Sequence, residues 1–327
     1  MRGGVLLTAK ANNVQGETLT SGVVFVYGAL RSGTTLFRLM LQAAPSISNP
    51  GEADFLFDYI APNPGGGWQY DRASLSEDRM FQSMALILPD KDGLELLADL
   101  LAQLQMHAAG QVVTLNLHRN LDRLLCILPG ARLIHVLRDP RDVARSSIGM
   151  GWAGTLYHGV NHWISTESAW DNLAIGFSPG QTFELSYEAF FTDAEAMLRR
   201  VCAFLGCDYD PAMLGYYRST TYGPPDASLI NQWKRNASRA ELAPLEAKAA
   251  ALMTRRGYSL SGPIEVPGPW LRAGLALKNR IAIWHFGIRR FGAGLYVGEK
   301  LTRWLGLSAL HGRIRSRMKV IAIRHLK

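Results

Sequence analysis

The 327-residue chain is predicted to fold as an α/β protein with a mostly parallel sheet and helices on both of its faces. Two observations predict this class. Short apolar runs rich in β-branched residues, typical of buried strands, alternate with stretches of helical periodicity. Strands separated by helices rather than by tight turns pair in parallel, and their sheet is covered on both sides.

The first strand, Val23–Tyr27, is followed by a loop bracketed by Gly28 and Gly33, and a helix begins at Thr34. This order of elements favours phosphate binding, because the first amides of the helix and the positive end of its dipole point toward the anion. The loop also offers hydroxyl donors and one fixed positive charge. These are Ser32, Thr34 and Thr35 for the hydroxyls and Arg31 for the charge.

The spacing of this loop is that of a P-loop, G-x-x-x-x-G-K-[ST], with one departure. Gly28, Gly33 and Thr35 fit, but Thr34 stands at the lysine position. That lysine normally bridges the β- and γ-phosphates, so its loss argues against ATP or GTP chemistry. The sheet is therefore predicted to be P-loop-type, and a P-loop nucleotide kinase is the alternative enzyme.

The remaining elements follow in order along the chain. Further strands are predicted at 111–115, Arg132–Leu137 and Thr182–Ser186, and further helices at 75–88, Gly93–His107, 120–128, from Arg141, at 163–177, 193–205 and 244–258. Loops rich in Gly, Pro or aromatic residues are predicted at 45–51, 61–70 and 149–161.

Two later strand ends carry residues suited to a nucleotide. Arg138 directly follows the strand Arg132–Leu137, and Ser146 lies about two helical turns further on. Tyr187 directly follows the strand Thr182–Ser186. Ligands bind at the carboxyl ends of parallel strands, so Arg138 and Tyr187 are predicted to lie on the same edge of the sheet as the loop 28–33.

Together these segments resemble the PAPS-dependent sulfotransferase family over about residues 23–258, nearest its tyrosylprotein and bacterial branch. The segment 31–35 matches its [KR]-S-G-T-T loop, the segment 138–146 its R-[DN]-P-[RK]-D-V-x-x-S pattern, and Tyr187-Glu188 a strand-YE junction. The resemblance implies that the loop holds the 5′-phosphate side of PAPS, Arg138 and Ser146 the 3′-phosphate, and Tyr187 the adenine. The implied donor-binding residues are Arg31, Ser32, Gly33, Thr34, Thr35, Arg138, Ser146 and Tyr187, with Ser228, Lys234 and Arg235 from a late segment that folds over the donor.

The resemblance also implies an in-line transfer of sulfate from PAPS to a hydroxyl, with PAP as product and without a metal. Glu52, in the Gly51-Glu52 segment, is the implied base, although Asp54 stands where that branch tends to place an arginine. A lysine that stabilises the leaving group in many members is replaced by Asn116. Either His118 then acts as base or acid, or Arg31 carries the leaving-group charge alone; Arg119 lies close by.

Charge divides the chain into two parts. From Ile264 to the end there are 13 Lys/Arg against 2 Asp/Glu, a net charge of +11, whereas the remainder holds 22 against 25, a net charge of −3. We therefore predict a lead-in at 1–21, a sulfotransferase domain at 22–262, and a basic amphipathic helical extension at 263–327. The extension suits an anionic membrane surface; the alternatives are a homodimer contact, a partner helix or packing on the catalytic body. No nucleic-acid partner is expected, because no recognised binding module accompanies the charge.

The expected acceptor is a carbohydrate, a glycolipid or another hydroxyl-bearing small molecule. Three sparse cysteines and the lack of a secretory signal favour the cytoplasm, with peripheral attachment at the inner membrane surface. A non-enzymatic alternative is a catalytically weakened PAPS- or PAP-binding protein tethered by its tail.

Overall fold

The computed structural model describes residues 22–109, 111–224 and 226–324. The predicted lead-in at 1–21 lies outside them. The described residues form two compact units: one comprises the chain up to Asp139 together with His162–Gln232, and the other comprises Pro140–Asn161 and the chain from Trp233 onward. The predicted boundaries at 22 and 263 remain predictions.

The first unit is built on a five-stranded sheet of order β2-β5-β1-β6-β7, in which every pairing is parallel. Val24 of β1, for instance, pairs with Thr114 of β5 on one side and with Arg132 of β6 on the other. A separate antiparallel pair joins β3 and β4. The strands are β1 Val23–Tyr27, β2 Ile47–Ser48, β3 Ile60–Pro62, β4 Trp68–Tyr70, β5 Val112–Leu117, β6 Arg132–Leu137 and β7 Thr182–Ser186.

Helices fill the remainder of both units. In chain order they are α1 Thr34–Gln42, α2 Phe55–Asp58, α3 Arg72–Glu77, α4 Arg79–Ser83, α5 Gly93–His107, α6 Leu121–Ile127, α7 Pro140–Gly149, α8 Leu156–Gly159, α9 Asn161–Ala174, α10 Ala189–Thr192, α11 Ala194–Leu205, α12 Gln232–Asn236, α13 Arg239–Arg255, α14 Pro269–Phe291, α15 Ala293–Trp304 and α16 Ser308–Arg324. Pro211–Arg218 and Ala227–Leu229 are 3₁₀ helices.

Both faces of the sheet are buried, as the continuous apolar composition of β1 predicts. Successive side chains of a strand point to opposite faces. Phe25 and Tyr27 accordingly join the cluster formed with the leucines of α5 and α6, whereas Val24 and Val26 join the cluster formed with α1 and α11. The α/β class with helices on both faces is therefore confirmed, and so is the helical C-terminal extension.

The second unit contains a buried charge network between α7 and α13. Arg141 of α7 lies 2.9 Å from Glu246 of α13, and both side chains are almost fully buried. Arg239 reaches the second oxygen of Glu246 at 2.8 Å. The charges of Arg141, Arg239 and Glu246 therefore connect α7 to α13 inside the second unit.

Some element boundaries differ from the predictions. The helix expected at 75–88 is two helices, because Asp78 caps α4 through the amides of Met80 and Phe81. The predicted loops at 61–70 and 149–161 contain the β3–β4 pair and α8 respectively. The last helix of the predicted catalytic domain begins upstream of Pro244, where Ser238 and Glu241 form a capping box. No described helix combines the length and apolar character needed to cross a bilayer.

Candidate functional site

The edge of the sheet where the strands of the first unit end gathers the residues that the sequence singled out. Gly28 follows β1, His118 follows β5, Arg138 follows β6 and Tyr187 follows β7. Parallel strands end at the same edge, which is the usual position of a ligand in an open α/β sheet. The four residues therefore lie at one edge of the sheet although they are far apart in the sequence.

The loop after β1 has the backbone of an anion-binding turn. Arg31 and Gly33 both have left-handed φ angles, 74° and 92°. Gly33 is the N-cap of α1, and no side chain caps this helix, so its first amides are available to a ligand. The hydroxyl of Ser32 is fully buried, and within the described ranges its Oγ has no hydrogen-bond partner. A buried polar atom without a partner is unfavourable, and an anion in the loop would satisfy it.

Tyr187 lies directly against this loop. A Cβ atom built on Gly33 would come within 2.1 Å of Cδ2 of the Tyr187 ring, so no larger residue fits at this position. The main-chain amide of Tyr187 donates to the carbonyl of Leu137 at 2.7 Å, which fixes the residue at the end of β6. The ring is almost fully buried. Tyr187 therefore packs directly against the loop of residues 28–33, which we call the phosphate-type loop.

Arg138 connects the loop to a later segment of the chain. Its Nη1 donates to the carbonyl oxygen of Arg31 at 3.1 Å, and its Nη2 donates to the carbonyl oxygen of Leu229 at 2.8 Å. The guanidinium carbon lies 4.1 Å from the centre of the Tyr187 ring, a cation–π distance. Within the described residues the buried Nε has no hydrogen-bond partner. Arg138 therefore adds a positive charge beside the loop.

Two cations face this edge of the sheet. Desolvation and the neighbouring charge of Arg138 lower the pKa of Arg31, against opposing contributions from Tyr222 and Tyr187. An arginine remains protonated near neutral pH, so Arg31 and Arg138 place two positive charges at this edge of the sheet. Such a site favours a polyanionic ligand.

His118, Gly28 and Glu52 form a second group beside the loop. The Nδ1 atom of His118 lies 2.8 Å from the carbonyl oxygen of Gly28. A carbonyl only accepts, so Nδ1 carries a proton, and in the neutral ring Nε2 then holds the lone pair. That Nε2 lies 3.8 Å from a carboxylate oxygen of Glu52. The Glu52 side chain is 49% exposed and the His118 side chain 3% exposed, so Glu52 is the more accessible of the two.

Asn116 serves as a connector. Its Oδ1 accepts from Asn49 at 3.1 Å, and its Nδ2 donates to the carbonyl of Thr34 at 3.3 Å. It also forms a parallel β-bridge with Glu52. The residue is almost fully buried and joins β5, α1 and the segment of Glu52. Its amide side chain supplies no charge to the site.

Asp54 positions the chain after β5. One of its carboxylate oxygens accepts from the amides of His118 and Arg119 at 2.9 and 3.2 Å. Burial raises the pKa of this carboxyl, against the opposing effect of His118. The side chain of Arg119 pairs with Asp58, through Nε at 2.7 Å and through Nη2. Arg119 is therefore engaged by acidic partners, and Asp54 holds His118 in place.

The late segment predicted to cover the donor is divided between the two units. Ser228 lies in the first unit, where its amide and hydroxyl donate to the capping carboxylate of Asp226, and it precedes the Leu229 carbonyl that accepts from Arg138. Lys234 and Arg235 lie on α12 in the second unit, as does Ser146 on α7. Trp233 of α12 packs under Arg141, whose guanidinium carbon is 3.5 Å from the ring centre.

Sequence reasoning missed three contributors to the site. They are the carbonyl of Leu229, the carboxylate of Asp54, and His162, whose Nε2 lies 2.9 Å from the carbonyl oxygen of Leu30. Main-chain carbonyls leave no trace in a sequence motif. The position of Asp54, two residues after Glu52, could have indicated that it belongs to the site, but in the sequence it is noted only as a departure from the family pattern.

Comparison with known proteins supports the same family. A sequence model described as "Sulfotransferase family" matches residues 23–211. An uncharacterised protein of Aquifex aeolicus (strain VF5) is 24% identical over 245 residues, which cover 67% of this chain but only 30% of that relative. The chain therefore spans about a third of the length of this relative.

Two solved structures share the fold. The sulfotransferase domain of the Synechococcus PCC 7002 olefin synthase superposes with a TM-score of 0.58 at 22% identity, over 73% of this chain and 95% of that one. The sulfotransferase domain from the curacin biosynthetic pathway gives 0.52 at 18% identity, over 72% and 98%. Given the family match over more than half of its length, the chain belongs to the sulfotransferase family. In the described ranges no group of three His, Cys, Asp or Glu side chains is placed to hold a metal ion.

Proposed function

We propose that the protein transfers the sulfuryl group of PAPS to a hydroxyl of a carbohydrate, a glycolipid or another small molecule. One observation carries the proposal: Arg138 donates to the main chain of Arg31 at 3.1 Å while it stacks on Tyr187. This contact joins a phosphate-type loop, a second cation and an aromatic ring within one site. These three features together suit a nucleotide with phosphates at two positions, because a guanidinium both pairs with a phosphate and stacks on an aromatic face.

The residues present fit PAPS. The 5′-phosphate side would be held by the residues of the loop, Arg31, Ser32, Gly33, Thr34 and Thr35. The unpartnered hydroxyl of Ser32 and the uncapped α1 amides support this assignment. The 3′-phosphate would be held by Arg138 and Ser146, and the adenine by Tyr187. Ser228, Lys234 and Arg235 are proposed to contribute from the later segment.

Glu52 is the proposed base. A general base must reach the hydroxyl whose proton it accepts, and Glu52 is the exposed member of the Glu52–His118 pair. His118 presents an Nε2 lone pair 3.8 Å away, so it can take the proton in turn or replace Glu52 as the base. The bridge to Asn116 keeps the Glu52 backbone in register with the sheet.

Arg31 is the proposed partner of the leaving group. PAPS supplies the activated sulfuryl group, and the departing 5′-phosphate oxygen gains negative charge during transfer. Asn116 offers no charge there, and Arg119 is already paired with Asp58. Arg31 lies in the loop itself, where a fixed cation stabilises such charge.

Donor identity is tested by a thermal-shift comparison of PAP, PAPS, ATP and NADPH. PAP and PAPS are expected to raise the melting temperature, since a ligand that binds the folded state stabilises it. Arg138→Ala should abolish the PAP shift, whereas Arg199→Ala, at an exposed surface pair, should leave it unchanged. A larger shift with ATP than with PAP would favour a P-loop kinase instead.

Catalysis is tested by labelled sulfate transfer from PAPS to hydroxyl-bearing acceptor libraries. Transfer to any acceptor excludes a donor-binding protein without activity. Glu52→Gln should keep the PAP shift and lose turnover by about 10²–10⁴-fold, the usual contribution of a general base. Normal turnover in Glu52→Gln would remove Glu52 from the mechanism.

We further propose a cytoplasmic location, peripheral at the inner membrane surface. The three cysteines, Cys126, Cys202 and Cys207, are free thiols in the structure, as is usual in a reducing compartment. Alkylation followed by mass spectrometry tests whether the thiols are free. Cells are treated with a thiol-alkylating reagent, and the protein is then denatured with the reagent present and without prior reduction. All three cysteines are expected to be modified.

A further inference from the structure

The helix α14 has one face that the fold leaves uncovered. Six residues that follow one another at alternating intervals of four and three positions lie on a single side of this helix. We call this set the apolar stripe: Trp270, Gly274, Leu277, Ile281, Trp284 and Ile288. Trp270 is 91% exposed, Leu277 61% and Ile281 60%. An exposed apolar face of this kind marks an interaction site.

The other side of α14 is packed within the second unit, which fixes the direction of the stripe. The amide of Gly154 donates to the Asn279 side chain at 2.7 Å, and a Cβ on Gly154 would lie 2.4 Å from the Ala282 methyl carbon. Phe286 packs on Gly151 in the same way, and Gly287 packs on Tyr296 of α15. These contacts lie opposite the stripe or beside it. Within the stripe, Trp284 packs edge-on against Tyr296 of α15, with 5.7 Å between the ring centroids, whereas Trp270, Leu277 and Ile281 point away from the rest of this unit.

Positive charge flanks the stripe on both sides. With about 100° between successive residues, Lys278 lies roughly 90° to one side and Arg280 roughly 70° to the other. Arg289 lies on the same side as Lys278, and all three side chains are exposed. From Ile264 onward the sequence has only two acidic residues. One of them, Glu299, is buried and pairs with Lys300 at 3.0 Å.

We propose that α14 docks on an anionic membrane surface, with the apolar stripe at the boundary of headgroups and acyl chains. Lys278, Arg280 and Arg289 would then lie against lipid phosphates. A helix with an apolar face, cationic flanks and tryptophans is suited to this position. This inference does not depend on the proposed reaction.

The positive charge on both sides of the apolar stripe favours an anionic membrane over a second copy of the chain as its binding partner. Two stripes placed face to face would bring the cationic flanks of both copies together, and like charges at such distances repel. An anionic lipid surface instead neutralises them while it covers the indole and aliphatic side chains. The complementarity therefore favours the membrane.

The test is co-sedimentation of the full chain with vesicles. The protein should bind vesicles of phosphatidylcholine and phosphatidylserine in equal parts and fail to bind phosphatidylcholine alone, and binding should weaken as salt is added. Ile281→Asp should lower the partition by about tenfold or more. The matched control is Ile175→Asp, at an isoleucine that is 94% exposed in the first unit, and it should bind as the wild type does.

The electrostatic part is tested by Arg280→Glu, with Arg79→Glu on α4 as its control. Arg280→Glu should lower binding to the anionic vesicles by about tenfold, and Arg79→Glu should not. Absence of wild-type binding, or unchanged binding by Ile281→Asp, would overturn the proposal. A wild type that ignores vesicles and sediments as a dimer, which Ile281→Asp dissociates, would assign the stripe to a second copy instead. The PAP thermal shift of each variant reports donor binding separately.

Discussion

His118 donates from Nδ1 to the carbonyl oxygen of Gly28 at 2.8 Å, and this contact ties the end of β5 to the start of the phosphate-type loop. It also orients Nε2 toward Glu52. His118→Asn can keep a donor toward Gly28 but has no counterpart of Nε2. If Glu52 is the base, we expect turnover to fall by only about tenfold, well below the 10²–10⁴-fold contribution of a general base, with the PAP thermal shift intact. Steady-state kinetics beside Glu52→Gln decide the roles, and a larger loss in His118→Asn would make the histidine the base.

Gly33 is required both for its backbone angle and for the space that Tyr187 occupies. Gly33→Ala should abolish the PAP shift and lower the melting temperature. Gly66→Ala is the matched control, because Gly66 has a similar φ of 100° but nothing within 4 Å of its Cβ position. Backbone strain of about 1–3 kcal/mol is common to both. Equal destabilisation and unimpaired PAP binding in Gly33→Ala would show that the Tyr187 contact is unimportant.

His135 lies buried between two glutamates of the first unit. Its Nδ1 is 2.9 Å from Glu184 and its Nε2 is 3.2 Å from Glu167. Burial lowers the pKa of His135, but its hydrogen bonds to both carboxylates outweigh this and raise the pKa. A raised pKa in the folded state stabilises the fold below the unfolded pKa of about 6.5, and the contribution is lost as pH rises through the folded pKa.

Glu184→Gln should therefore destabilise the protein most near pH 6 and progressively less toward pH 9. Urea unfolding across this range measures the effect. Glu195→Gln, at an exposed pair with Arg199, should show no such trend. A destabilisation by Glu184→Gln that does not change with pH would mean that His135 is neutral throughout.

The Arg141–Glu246 pair should dominate the stability of the second unit. Glu246→Gln removes the negative charge that Glu246 places 2.9 Å from the buried Arg141, and breaking a buried pair in this way costs about 3–5 kcal/mol. The exposed pair Arg199–Glu195 should contribute less than about 1 kcal/mol to the free energy of unfolding. Glu195→Gln is therefore the control for this prediction too. Chemical denaturation gives both values, and a loss below about 1 kcal/mol for Glu246→Gln would contradict the prediction.

Much of the fold and part of the site could be predicted from the sequence. Strand ends and the glycine-bracketed loop follow from local patterns, so Arg31, Arg138 and Tyr187 could be placed at one edge from parallel pairing alone. The close approach of Tyr187 to Gly33 could not, because it depends on where α1 and β7 pack. The same holds for Asn116, whose buried contacts involve residues from three separate segments.

The helix predicted at 75–88 shows why a boundary inside it could not be predicted. Apolar periodicity across 75–88 is genuine, since Leu75, Phe81 and Met84 all enter one cluster. The apolar pattern does not show that a second helix begins after Asp78, because the sequence alone does not distinguish an aspartate that caps a helix from one on the surface of a continuous helix.

The parallel bridge between Glu52 and Asn116 has a consequence for how this scaffold can change. The proposed base is attached to the central sheet by backbone pairing, whereas the β3–β4 hairpin after it ends in a glycine turn around Gly66. Exchanges or insertions between residues 62 and 68 should therefore leave the position of the proposed base unchanged, because its backbone pairing with β5 does not involve the hairpin.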